Sequence, residues 1–171
     1  VSGRLAVGSH RSDGFYENGF LQTKTNNEQD ELSVRGKLRA DIADNWRLDL
    51  SLSHVDIDNG YDAFTLDNSR TTLSDQPGRD EQESLALAID SSWQLANFDL
   101  NLIVSAADSD MEYGYDEDWT FAGIHPDGYM SQDNYIRNRK TESFELRLIS
   151  NDSSRLFADT TQWLFGLYTL S

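Results

Sequence analysis

Seven residues of this chain have the types and spacing to hold a ligand: Tyr61, Asp62, Phe64, Tyr113, Tyr115, Asp116 and Trp119. They fall in two short runs, Asn59-Gly60-Tyr61-Asp62-Ala63-Phe64 and Tyr113-Gly114-Tyr115-Asp116-Glu117-Asp118-Trp119. Aromatic faces can stack on a planar or sugar-like group, and a neighbouring carboxylate can accept its donors. The competing reading is that these rings pack connections against one another. Arg70, Arg79, Arg137 and Arg139 could meet an anionic ligand, or pair with the abundant local Asp.

Other chemistry is thinly marked. Asp56-Ile57-Asp58-Asn59-Gly60 has a faint likeness to a calcium loop, but its glycine comes one position early and position twelve is Asp67, not Glu. His10, His54 and His125 are far apart, so no histidine pair marks a catalytic metal, and no metal or cofactor is expected. The sequence has no Gly-x-Ser-x-Gly, phosphate-binding loop or dinucleotide fingerprint. An enzyme is not expected.

The chain has 171 residues, a net charge of −16 and no cysteine. That charge argues against a nucleic-acid partner, because binding a phosphate backbone needs clustered Lys and Arg. No apolar run approaches the length of a transmembrane helix.

The elements that would position the ligand residues follow period two. Leu32, Val34, Gly36, Leu38 and Ala40 alternate with Ser33, Arg35, Lys37 and Arg39. Such alternation puts oil on one face of a strand and charge on the other. Seven such segments stand out, near 3–10, 31–40, 46–56, 80–93, 98–109, 140–150 and 161–171. Long connections (11–30, 57–79 and 110–139, the last the longest) alternate with shorter ones (41–45, 94–97 and 151–160). This predicts an all-β, antiparallel up-and-down meander with two unlike rims.

A transmembrane β-barrel segment, seven strands of a larger barrel, has both properties. Its apolar face would meet the lipid bilayer, and Trp46, Trp93 and Phe98 would join an interfacial girdle. Arg35, Lys37, Arg39, Asp49, Asp99, Asn101, Glu145 and Arg147 would face the interior, forming mixed-sign ladders. A soluble secreted β-sandwich or carbohydrate-binding module with acidic loops fits the same alternation. A smaller outer-membrane porin or esterase-like barrel is a third reading.

Five stretches taken in order carry a resemblance. They are Asn59 to Phe64, Leu73-Ser74-Asp75-Gln76-Pro77-Gly78-Arg79-Asp80, Tyr115 to Trp119, Phe144-Glu145-Leu146-Arg147-Leu148, and Trp163-Leu164-Phe165-Gly166-Leu167-Tyr168. This succession resembles the β-barrel domain of TonB-dependent outer-membrane receptors of the iron-complex type, over essentially the whole chain. The resemblance implies a barrel of about 22 strands closed by a plug. It implies residence in the outer membrane of a Gram-negative bacterium, with energy supplied by TonB through an N-terminal region outside this stretch. It implies uptake of a small-molecule metal complex such as a ferric siderophore, or of an oligosaccharide. On this reading residues 1–171 are part of the barrel domain without its plug, cut from a longer polypeptide.

Overall fold

The computed structural model describes all 171 residues. Nine strands form: β1 (Ser2–Ser12), β2 (Glu17–Asn18), β3 (Gln29–Ala43), β4 (Trp46–Gly60), β5 (Thr71–Thr72), β6 (Arg79–Gln94), β7 (Phe98–Asp116), β8 (Gln132–Ser150) and β9 (Leu164–Leu170). The seven long ones make one antiparallel sheet in the order β1-β3-β4-β6-β7-β8-β9. Each is hydrogen-bonded only to its neighbours in the chain, as a meander requires. The sheet is open, with β1 and β9 each paired on one side.

The strands outrun the alternation that marked them. β7 continues to Asp116 and β8 begins at Gln132. The connection expected over 110–139 therefore shrinks to 117–131, and 61–78 becomes the longest. Tyr113, Tyr115 and Asp116 lie in β7 and not in a loop. The reason is physical. On this stretch one face carries Asp108, Asp110 and Glu112 and the other Met111, Tyr113 and Tyr115, so neither face is a clean apolar row. Asp56 to Gly60, the faint calcium loop, is likewise extended strand in β4, paired with Arg79 to Glu83 of β6. At the other rim the turn expected over 41–45 narrows to 44–45, with a register shift between Asp41 and Ala43.

The two faces separate as the alternation predicts. One carries the row Leu38, Leu50, Ile89, Val104 and Phe144, aligned residue by residue across five strands. Rows on either side add Leu52 and Leu87, then Leu48, Leu102, Leu146 and Leu167. The opposite face holds Ser51, Ser53, Ala86, Ala88, Ser105, Ala107 and Ser143 at the same levels. Of the expected ladders on that face, Arg39 bonds Asp49 across the strands at 2.7 and 3.0 Å. Arg147 instead pairs with Glu145 along its own strand at 2.7 Å.

No hydrophobic side chain in the chain is buried. The buried residues other than Gly114 are polar, and most of them sit in the long connections. The ordinary hydrophobic core of a water-soluble domain is absent from this sheet.

Candidate functional site

The three connections at the long-loop rim, 13–28, 61–78 and 117–131, are bound into one cap by polar side chains. β2 and β5 join the first two in a short parallel pair. The Asp62 carboxylate, 4% exposed, is the centre of the bonding. It accepts from Thr72 Oγ1 at 2.7 Å, from Asn18 Nδ2 at 3.4 Å and from Asn26 Nδ2. Asn18 also donates to the Ser74 carbonyl at 2.7 Å and accepts from the amides of Phe20 and Leu21. Burial pushes the Asp62 carboxyl above the ordinary carboxylate range, and the bonds from Thr72 and Asn26 draw it part of the way back.

The third connection is tied in through Asp116. Its Oδ2 accepts from Ser74 Oγ at 2.6 Å, and its Oδ1 from the amides of Asp118 and Trp119. Asp118 then holds the loop's far end, accepting from the Ser131 amide at 2.8 Å and from the Thr120 amide and hydroxyl. Burial disfavours the Asp118 charge, but these donors prevail and hold its pKa below the usual range. Gly78 is where backbone passes closest to backbone. A Cβ there would lie 2.0 Å from the Gly114 carbonyl oxygen, so no larger residue fits without movement.

Above this polar layer the aromatic side chains meet. Trp119 stacks on Phe64 with ring centroids 5.3 Å apart. Phe64 meets Tyr61 edge-on at 6.1 Å, and Tyr61 meets Tyr113 at 4.8 Å. Tyr113 neighbours Tyr115 at 5.9 Å and Tyr135 at 6.3 Å. One aromatic run thus crosses from the 117–131 connection to β8. Trp119 takes a backbone φ of 62°, a left-handed conformation rare for a bulky residue. The Asp116 carboxylate accepting its amide helps fix that turn.

Comparison with known protein families, with curated proteins and with solved structures finds no match.

The arrangement therefore rests on its own chemistry. Of the seven residues singled out by type and spacing, five rings (Tyr61, Phe64, Tyr113, Tyr115 and Trp119) come together. Phe64 and Trp119 remain 36% and 37% exposed, so each offers a face to a ligand. Asp62 and Asp116 do not join them. Both carboxylates are buried and occupied by loop donors, which makes them staples of the cap.

Sequence reasoning missed Tyr135, which sits opposite Tyr113 in the β7–β8 register and is 45% exposed. It lies in the stretch read as a connection, and period two measured from Arg137 and Arg139 would have found it. It also missed Asn26, Thr72 and Ser74, whose types are too common in loops to stand out. No group of three or more His, Asp or Glu side chains is placed to hold a metal ion. A stacking surface over a polar cap can bind a planar or ring-bearing solute.

Proposed function

We propose that this sheet is part of the wall of a transmembrane β-barrel in the outer membrane of a Gram-negative bacterium. We infer that it belongs to a receptor of the TonB-dependent type, which binds a scarce ligand such as a ferric siderophore at the aromatic rim. Transport then proceeds by binding and rearrangement, with no covalent step.

One observation carries the reading: the exposed apolar band runs obliquely across the strands. On the apolar face, the first charged residue on the long-loop side is Asp30 in β3 and Glu142 in β8. Asp30 lies two residues beyond Leu32, and Glu142 lies four short of Asn138. Leu32 and Asn138 are level through Asp56, Glu83 and Asp110. The boundary therefore slips six residues over four strand-to-strand steps. At ~3.4 Å per residue and ~4.8 Å per strand, the slope is about 45°. Strands tilted by roughly 35–45° to a membrane normal would put such a band level with the bilayer.

Its height agrees. Leu85 to Trp93 in β6 is nine residues, or about 27 Å along the strand and about 20 Å after tilting, before side-chain reach is added. The apolar belt of such barrels is ~25 Å tall. Trp46 and Trp93, stacked at 5.5 Å, stand at its short-turn edge. The soluble sandwich needs a second sheet over the apolar face, and all seven long strands of this chain lie in one.

Cell fractionation tests the reading. The native polypeptide should be recovered from outer membranes only with detergent, and uptake of a ferric siderophore should require it. Recovery from the soluble fraction would overturn it.

A further inference from the structure

In a chain with 30 acidic and 14 basic residues, a cation without a carboxylate partner needs a reason. Seven of the cations are in ion pairs, from Arg11 with Asp30 to Arg155 with Asp152. Three that lack one are neighbours. Arg4 of β1 stands directly opposite Lys37 of β3, and Arg35 stands opposite Ala6, on the same face one step along. Asp49, diagonal to Lys37 on the neighbouring strand, is already gripped by two nitrogens of Arg39. The remaining unpaired cations, Lys24, Arg70, Arg137 and Arg139, lie outside this group.

Like charges placed directly opposite destabilise an antiparallel pair. Here they also surround a hollow of about 530 Å³. Its floor is kept low by Ala6, Gly8, Ser33 and Ser53. Opposed Cβ atoms on such a ladder are ~4.5–5.5 Å apart and diagonal ones ~7–8 Å, so three long side chains can converge on one small solute. Guanidinium forks match the oxygens of phosphate and carboxylate, and an ammonium adds a point charge.

We propose that Arg4, Arg35 and Lys37 form a binding site for a compact multivalent oxyanion, a phosphate or a polycarboxylate, on the polar face of the sheet. The anion removes the repulsion that the bare triad carries. The site is separate from the aromatic rim. The triad backs onto Leu5, Gly36 and Leu38 of the apolar face, so it sits at the depth of the apolar band and below the loops. The hollow lies on the polar face whether or not the sheet crosses a membrane, so the proposal stands apart from the receptor reading.

The test is isothermal titration of the intact native polypeptide in detergent with inorganic pyrophosphate, then with citrate. One saturable site is expected for at least one of them, weakening as salt is raised. The double variant Arg35→Gln, Lys37→Gln should raise Kd about tenfold or more, since each lost charge-assisted bond is among the stronger kinds. Arg155→Gln, outside the hollow, should leave Kd unchanged. Arg35→Lys keeps the charge and should restore most of the affinity lost in Arg35→Gln, which separates anion contact from a disturbed sheet. Absence of saturable heat with both anions, or equal affinity in the double variant, would overturn the site.

Discussion

Placing an arginine at successive depths on the apolar face gives the sharpest test of what that face touches. Ile89 lies in the central row with Leu50 and Val104. Leu85 lies four residues closer to the long loops, next to the boundary marked by Glu83. Both are exposed, at 37% and 53%. If lipid covers this face, Ile89→Arg should destabilise the fold by about 2–4 kcal/mol, and Leu85→Arg by only about 0–1 kcal/mol. If water covers it, both substitutions add charge to an already wet surface and should stay within about 0.5 kcal/mol of zero. Ile89→Ala should be mild in lipid, because its outward surface loses little when one apolar neighbour replaces another. The assay is reversible denaturant unfolding of the intact polypeptide in lipid vesicles, followed by tryptophan fluorescence. Trp46 and Trp93 at the band edge report whether the sheet is inserted. Equal and small effects at Ile89 and Leu85, or a larger one at Leu85, would refute the membrane reasoning.

Further expectations concern the cap and the rim. Asp62→Ala leaves the side chains of Asn18, Asn26 and Thr72 without their shared acceptor. At about 1–3 kcal/mol per orphaned donor, the 61–78 connection should open to protease well before the sheet unfolds. The raised pKa of Asp62 has a definite sign: its stabilising contribution is complete below the ordinary carboxyl value and is lost as pH rises through the raised one. Burial raises the Asp116 carboxyl as well, so it acts in the same direction. The cap should therefore be tighter near pH 4 than at pH 7, and Asp62→Asn should reduce the difference in intrinsic-rate-corrected hydrogen exchange. Asp118, whose pKa is lowered, acts with the opposite sign and cannot be the source of that effect. Trp119→Ala and Phe64→Ala should each weaken binding of a ferric siderophore by about 1–2 kcal/mol, measured by fluorescence titration, while strand content holds. Gly78→Ala must displace the Gly114 carbonyl and should loosen the rim more than any other single methyl added there.

How much of this was legible in the sequence depends on what water does at each residue. Where one face is apolar and the other polar, period two fixed the strands to within a few residues, as at Leu32 to Ala40 and Leu85 to Ile89. Where both faces are wet, the contrast vanishes. The ends of β7 and β8 from Asp110 to Asp116 and from Gln132 to Arg139 are joined by backbone pairing and by polar and aromatic side-chain contacts, with no apolar row, and they read as loop. The aromatic run was half legible, since its ring types stood out and the pairing of Tyr113 with Tyr135 did not. Asp62 and Asp116 stand out in the sequence beside the rings, and the fold shows their carboxylates engaged by loop donors. A carboxylate beside rings looks like a ligand contact in one dimension, and only the fold reveals the Asn, Ser and Thr side chains that occupy it.

The strictly sequential order of the sheet has a consequence for assembly. Each long strand bonds only to the strands before and after it in the chain, so every closure is a hairpin added to an existing edge. Pairing never skips a long strand, although partners at the short-turn rim can lie far apart in the chain, as Phe98 and Ser150 do. Until the apolar face is covered, however, each added strand enlarges an oily surface and leaves a fresh unpaired edge, the two features that drive chains to aggregate. A chain built this way is dangerous to leave in water. Covering that face as it grows is therefore as much a part of folding as pairing the strands.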